Sequence, residues 1–435
     1  MTATLERNAR TQTPESAFTA QLSERPGPRV RRATRIALVV IGFGLTLVTV
    51  DGTWWWAVLR VLAIAGVTAA AITIVERGPR LAVATTTIVG GVTATAAGGA
   101  LAVSYRGTGG SLRLTAGLLT VVAGLVLLVT GTAWTVRSAR GWWRRVAAVA
   151  TVVVLMYSIG FPVAMATFAT NVVRPQLGAE TPADRGYSFI DVSLPTSDSV
   201  TLSGWYIPSS NGAAVVVLHG ASSTRSSVLD QSAVLARHGY GVLLFDARGM
   251  GRSGGRAMDF GWYGDRDIAA ALDYLHTRPE VDPTRIAALG ESMGGEEAIG
   301  AMAADTRLRA VVAEGATNRV AADWHWLSDR YGVRGALQEG VHWMTYELTD
   351  LLTDAHQPIA LHDAVALAHR PVLLITAGTV ADEANAARDT QHSSPDTVQV
   401  WEVPGADHTG GLRTAPAEWE QRVTNFLAGA LLARK

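Results

Sequence analysis

A serine flanked by glycines is the residue whose setting first suggests chemistry in this chain. The pentapeptide Gly290-Glu291-Ser292-Met293-Gly294 follows a short apolar run, 286–289, and precedes a small-residue stretch, 295–304. That order predicts a strand, a sharp turn and a helix, and the turn holds the serine hydroxyl above the edge of a sheet. A hydroxyl held there can attack a carbonyl carbon, so we predict that Ser292 is a nucleophile rather than a small residue of a turn.

The partners that such a serine needs follow two later apolar runs. A neighbouring imidazole has to take the hydroxyl proton, and a carboxylate has to hold that imidazole in the correct tautomer. Asp382 and Glu383 come soon after the run 372–376, and His408 comes soon after the run 398–403. We predict that His408 is the base and that one of the two carboxylates is its partner. This chemistry requires no metal or organic cofactor, so none is predicted.

The turn after the apolar run 213–218 offers a further component. His219-Gly220-Ala221-Ser222 follows that run, and its free amides could supply half of an oxyanion hole. The amide of Met293, next after the serine, would supply the other half.

Other polar residues near these runs have simpler explanations. We predict that His219 holds its own turn and that Asp246 anchors the glycine-rich turn 248–254, because its strand precedes that of the serine. Glu296 and Glu297 stand in the first turns of the following helix, where acidic side chains favour the helix dipole.

These candidates require a sheet that brings distant parts of the chain together. Two segments, 189–194 and 200–207, alternate apolar and polar residues and predict an antiparallel hairpin at a sheet edge. Short continuous apolar runs separated by helical stretches then predict buried parallel strands. These runs are 213–218, 241–245, 286–289, 310–313, 372–376 and 398–403. The pattern predicts an α/β, doubly wound, mostly parallel sheet with the candidate residues at the carboxyl ends of its strands.

Residues 177–435 resemble the α/β-hydrolase-fold serine hydrolases of the esterase, monoacylglycerol-lipase and serine-aminopeptidase-like group. The motifs that carry the resemblance stand in the family's order: VVVLHGAS, FDARGMGRSGG, GESMGG, PVLLITAG followed by an acid, and VPGADHTGG. The resemblance implies that Ser292 is the nucleophile, His408 the base and Asp382 the acid, with Ala221 and Met293 as the oxyanion amides. The family often carries the acid at the position occupied here by Ala381, so Glu383 is kept as the alternative acid.

An aromatic segment between Gly315 and Pro371 adds a possible cap. In hydrolases of this kind such an insert, here about 317–370, covers the site and shapes the acyl pocket. The alternative is that these aromatic residues belong to an ordinary core. With a cap, an apolar substrate such as a lipid ester, glyceride or acylated molecule is the favoured hypothesis.

The N-terminal part of the chain has the composition of a membrane region. Hydrophobic residues make up 48% of the chain, and the mean hydropathy is +0.20. Residues 1–35 predict a disordered basic arm, and residues 36–176 predict a bundle of about five transmembrane helices. The predicted spans are 36–50, 54–75, 81–104, 114–136 and 146–170.

The distribution of charge predicts how the chain is oriented. Thirteen arginines fall in the arm and in the segments on its side of the spans, whereas only Arg106, Arg113 and Arg174 fall on the other side. This asymmetry predicts a multi-pass protein of the cell membrane with a cytoplasmic N-terminus and an extracytoplasmic hydrolase domain. Residues 1–176 carry 17 Arg and five acidic residues, whereas the remainder is net acidic, which argues against binding of nucleic acid.

These patterns lead to one principal function and three alternatives. The principal prediction is a membrane-anchored hydrolase of carboxylic esters, with a small-molecule or lipid ester as substrate and membrane lipids as partners. A peptidase or an acyltransferase would use the same side chains. A catalytically silent, membrane-tethered binding module is the alternative that is not an enzyme.

Overall fold

The computed structural model describes residues 27–49, 52–139, 141–256 and 258–432. It divides into two compact units, Met1–Phe161 and Pro162–Lys435. Most of the predicted basic arm lies outside the described residues. Its last part is helical rather than disordered, because the first helix begins at Pro28.

The described part of the first unit is helical, and its last helix continues past Phe161 into the second unit. Five helices are long and apolar enough to cross a membrane: α1 Pro28–Thr49, α2 Trp54–Arg77, α3 Arg80–Tyr105, α4 Leu112–Ser138 and α5 Trp142–Thr170. Each predicted span falls on one of them, except that Val50, the last residue of the first span, lies outside the described residues. The first predicted span was short for a bilayer, but α1 has 22 residues, or about 33 Å. Glycines allow α3 and α4 to approach closely, since a Cβ at Gly98 would lie 2.8 Å from the carbonyl oxygen of Gly117.

The second unit contains one eight-stranded sheet. Its strands are β1 Ile190–Pro195, β2 Thr201–Ile207, β3 Ala214–Leu218, β4 Gly241–Phe245, β5 Ile286–Glu291, β6 Leu308–Glu314, β7 Val372–Ala377 and β8 Val398–Val403. Their order in the sheet is β1-β2-β4-β3-β5-β6-β7-β8. Strand β2 is antiparallel to β1 and β4, and the remaining pairs are parallel. The predicted doubly wound sheet and its edge hairpin are confirmed.

Helices cover both faces of this sheet, which explains why its central strands are apolar over most of their length. The helices are α6 Leu229–Arg237, α7 Gly264–His276, α8 Met293–Ala304, α9 Trp326–Tyr331, α10 Val333–Leu352, α11 Leu361–Ala368, α12 Ala381–Ser393, α13 Gly411–Thr414 and α14 Pro416–Leu431. Side chains of α7, α8 and α11 contribute to the core on one face. Those of α6 and α14 contribute to the core on the other face.

The segment between β6 and β7 has one part that belongs to the main core and one part that can form a cap. Leu361 and Val365 of α11 are buried in the main core, so this helix belongs to the sheet layer and not to a cap. Upstream of it, Trp326 packs with Ala386 of α12, and Tyr346 packs with Trp262. The part that can form a cap is therefore shorter than the predicted 317–370.

Candidate functional site

Ser292 occupies the turn between β5 and α8. Its backbone φ is 51° and its ψ is −121°, a left-handed conformation that is costly for a residue other than glycine. The turn is held because the amide of Ser292 donates a hydrogen bond to the carbonyl oxygen of Glu314, 2.7 Å away on the neighbouring strand β6. A side chain held in this way projects out of the sheet edge.

The flanking glycines are required by close backbone approaches. A Cβ at Gly290 would lie 2.2 Å from the carbonyl oxygen of Gly294. A Cβ at Gly294 would lie 2.7 Å from the carbonyl oxygen of His219 and also 2.7 Å from the Leu218 Cβ. These positions leave no room for a side chain, so the predicted strand, sharp turn and helix depend on both glycines.

A chain of hydrogen bonds joins the serine to a buried carboxylate. The Nε2 atom of His408 lies 3.0 Å from the Oγ atom of Ser292. The Nδ1 atom of the same ring lies 2.6 Å from Oε1 of Glu383. The side chain of Glu383 is only 3% exposed, whereas that of His408 is 51% exposed. An ionised carboxylate fixes the proton on Nδ1, which leaves Nε2 free to accept the proton of the serine hydroxyl.

Asp382, the acid first expected to face His408, lies elsewhere. Its carboxylate accepts a hydrogen bond of 2.7 Å from the Tyr331 hydroxyl at an exposed position. Consecutive residues of a helix point about 100° apart, so only one of the two acids at the start of α12 can face the imidazole. That acid is Glu383, whose other oxygen accepts the amide of Ala377 at 2.8 Å.

The electrostatic surroundings favour the protonated form of the imidazole. The hydrogen bond with Glu383 is the main cause that raises the pKa of His408 above its usual value, while partial burial opposes it. The nearby carboxyl groups of Glu296 and Glu291 act in the same direction as Glu383.

The two candidate oxyanion amides flank the serine. Met293 is the first residue of α8, and Ala221 stands in the turn after β3. A Cβ at Gly220 in that turn would lie 3.5 Å from the Ser292 Cβ, so the turn reaches the serine. Within the described residues, the amides of Ala221 and Met293 donate no hydrogen bond to another protein atom.

Comparison with known proteins agrees with this architecture. Residues 209–396 match the family described as serine aminopeptidase, S33. An uncharacterized protein of Mycobacterium tuberculosis is 33% identical over 208 residues, 47% of this chain and 65% of that protein. The thiohydrolase aneE of Aspergillus aculeatus is 33% identical over 129 residues, 29% of this chain and 41% of that protein. This chain therefore matches less than two thirds of these relatives' own length.

The second unit has the α/β-hydrolase fold and is called the α/β-hydrolase domain after that fold. Among solved structures, a Pyrococcus furiosus esterase is similar to it, with 26% identity and a TM-score of 0.48 over 60% of this chain and 98% of that chain.

Sequence reasoning missed a buried acid in the α/β-hydrolase domain. The carboxylate of Glu314 accepts the amide of Gly411 at 2.6 Å and the indole N–H of Trp419 at 2.9 Å. Because Gly411 follows the loop that carries His408, Glu314 ties that loop to the strand beside Ser292. An acid directly after the apolar run 310–313 was the available signal.

Polar side chains also hold the turns that follow β3 and β4. His219 donates from Nδ1 to the carbonyl oxygen of Gly220 at 2.8 Å, and its Nε2 accepts the amide of Ala247 at 3.0 Å. The carboxylate of Asp246 accepts the amides of Arg225 and Arg252, each at 2.9 Å. Both residues therefore hold loops, as the sequence suggests.

An apolar cluster surrounds Met293 in the α/β-hydrolase domain. Met293 packs with Ala247, Met250 and Met258 and with Ala169 from the last turn of α5. This end of α5 belongs to the same compact unit as the sheet. The side chain of Met293 is therefore anchored in a small core that includes the end of α5.

Proposed function

We propose that this chain is a membrane-anchored serine hydrolase that cleaves carboxylic esters. In this proposal Ser292 is the nucleophile, His408 the general base and Glu383 the acid that orients it. The observation that carries the proposal is the hydrogen-bond chain from Ser292 Oγ through His408 to Glu383, at 3.0 Å and 2.6 Å. Activity, substrate and partners of the whole protein are part of the proposal.

The proposed reaction proceeds through an acyl-enzyme. As Ser292 Oγ attacks the ester carbonyl, its proton passes to Nε2 of His408, and the Glu383 carboxylate stabilises the imidazolium. The amides of Ala221 and Met293 hold the oxyanion, and each such donor contributes about 3–4 kcal/mol where measured. The C–O bond to the alcohol then breaks, and His408 gives its proton to the departing alcohol. Water repeats the sequence, so that the acid is released and the serine regenerated.

The membrane part of the proposal is supported by the helices α1 to α5. They are long and apolar enough to cross a bilayer, and arginine is concentrated on one side of them. We place the N-terminus in the cytoplasm and the hydrolase domain outside the cell membrane. Because these helices would hold the domain at a bilayer, an ester presented by membrane lipids is the proposed substrate class.

A fluorophosphonate probe tests the nucleophile directly. The full-length protein in detergent should be labelled, the Ser292→Ala variant should not, and the Ser393→Ala variant, changed at an exposed serine, should be labelled like the original. Labelling that persists in Ser292→Ala would reject the proposal. No labelling of the original protein would favour the binding module without catalysis.

A substrate series tests the ester and the acyl chain. Rates on nitrophenyl esters of increasing chain length should rise with length, and esters carried in vesicles should be hydrolysed. Hydrolysis of short soluble esters at rates that do not depend on chain length, together with no hydrolysis of long-chain or vesicle-borne esters, would contradict a lipid substrate.

A peptidase is the second candidate, because the matched family is described as serine aminopeptidase. An acyltransferase has weaker support from a Penicillium polyketide transferase, 32% identical over 132 residues. Mass spectrometry of products would distinguish the three: free acid from an ester, free amine from an amide, or acyl transfer to an added alcohol.

A further inference from the structure

Three side chains with metal-binding atoms meet beside α12. His325 stands immediately before α9, His362 in the first turn of α11, and Asp389 in α12. One ligand atom from each lies within 4.8 Å of the other two. The cluster thus joins three elements: the start of α9 in the insert, α11 in the sheet layer, and α12, the helix that carries Glu383.

His325 has the orientation of a metal ligand. Its Nδ1 lies 2.9 Å from the carbonyl oxygen of Ala322, so Nδ1 donates and Nε2 keeps its lone pair. Metal-bound imidazoles in proteins commonly donate their second nitrogen to a carbonyl in this way. Nε2 lies 3.3 Å from Oδ1 of Asp389. Two ligands at about 2.0–2.1 Å on one tetrahedral Zn²⁺ are themselves about 3.3 Å apart.

His362 supplies an independent observation. Its Nδ1 is a buried atom that, among the described residues, has no hydrogen-bond partner. It lies 3.7 Å from the carboxylate of Asp323, which is held by the amides of Arg319, Val320 and Leu361. With a metal on Nε2, the proton stays on Nδ1 and a small rotation directs it to Asp323, as in carboxylate–histidine–zinc sites.

We propose that His325, His362 and Asp389 bind one divalent transition-metal ion, with zinc as the best match. Two imidazoles and one carboxylate are a usual zinc ligand set, and water would fill the remaining position. The chain contains no cysteine, so thiolate ligands do not compete. The ion fixes the insert against α12, beside the contact of Trp326 with Ala386. Its role is structural, and the proposal does not depend on the reaction assigned to Ser292.

Metal content measures this site without using enzyme activity. The full-length protein in detergent is loaded with Zn²⁺, dialysed, and analysed by mass spectrometry for zinc. We expect about one zinc per chain. His325→Ala, His362→Ala and Asp389→Ala should each lose it, whereas His276→Ala and His392→Ala, changed at exposed histidines outside the cluster, should retain it.

Two further measurements separate the proposal from misfolding and from an ordinary surface ion pair. Zn²⁺ should raise the thermal unfolding midpoint of the original chain and of both control variants, but not that of His325→Ala. Unloaded His325→Ala should show a cooperative unfolding transition like that of the unloaded original chain. Dialysed protein that holds no zinc, or zinc that His325→Ala and His276→Ala retain equally, would overturn the proposal.

Discussion

Asp382 and Glu383 are neighbours in the chain but have different environments. Glu383 is 3% exposed and its two oxygens accept from His408 and Ala377, whereas the Asp382 carboxylate meets the Tyr331 hydroxyl near solvent. A buried acceptor fixed by a backbone amide holds an imidazole in one orientation. A solvated carboxylate does this poorly.

The two acids should therefore respond differently to loss of charge. Glu383→Gln should lower kcat by about 10³- to 10⁴-fold, because the imidazole loses the carboxylate that stabilises its charged form. Asp382→Asn should stay within about threefold, since it changes only an exposed contact. Steady-state hydrolysis of a nitrophenyl ester measures both, and a larger loss in Asp382→Asn would reverse the assignment.

The pH profile should report the interaction between His408 and Glu383. Only the neutral imidazole can accept the serine proton, and the hydrogen bond with Glu383 raises the pKa of His408 above 6.5. Activity should therefore fall as the pH drops through the raised pKa of His408. In Glu383→Gln the pKa of His408 falls, so the acid limb of kcat/KM should move to lower pH. An acid limb that does not move would contradict this coupling.

Residue types were predictable from the sequence, but burial was not. Ser292 and His408 were selected from their positions after strands, and the structure brings their side chains together. Glu296 and Glu297 were interpreted as helix-dipole charges, yet both are buried, and burial raises the pKa of Glu296 to about 7 and that of Glu297 well above its usual value. Their neighbours come from distant segments, which a local pattern does not reveal.

At the scale of elements, the turn that holds Ser292 depends on space as well as on hydrogen bonds. Gly294→Ala should lower stability by about 1–3 kcal/mol, because its Cβ would lie 2.7 Å from the carbonyl oxygen of His219, which follows the neighbouring strand β3. Gly429 in α14 has no atom near its would-be Cβ. Gly429→Ala should leave stability unchanged or raise it by up to about 1 kcal/mol. Thermal unfolding compares the pair, and equal midpoints would argue against this packing constraint.

The elements themselves were predictable wherever the periodicity was strong. The parallel strands fall on the apolar runs, because both faces of the sheet are covered. The insert was harder to interpret, since α11 looks like part of a cap by its position and belongs to the main core by its contacts. A short amphipathic helix does not specify which surface it covers.

At the scale of the whole molecule, the absence of cysteine from the sequence permits a direct test of membrane orientation. Thr277→Cys, at an exposed position of the hydrolase domain, should react with a membrane-impermeant maleimide on intact cells. Ser138→Cys, exposed at the end of α4, should react only after permeabilisation. The expectation rests on the concentration of arginine in the N-terminal arm and in the segments on its side of the spans. The reverse pattern of labelling would place the hydrolase domain in the cytoplasm.

The boundary between the two compact units differs from the boundary that amino-acid composition indicates. The sequence changes character near residue 177, but the compact unit that contains the sheet begins at Pro162. Residues 162–176 are apolar like the preceding helix, so composition assigns them to the spans. Their contacts assign them to the sheet, because Ala169 packs with Met250 and Met293.

The contacts made by the end of α5 determine where a water-soluble fragment for crystallisation should begin. A cut at residue 177 removes Ala169 together with Arg174, whose guanidinium donates to the carbonyl oxygen of Gly255 at 3.1 Å. It also removes the carbonyl of Thr170 that Arg256 binds at 3.2 Å. The shorter fragment would expose methionine side chains beside Ser292, whereas one that starts ahead of Pro162 keeps them covered.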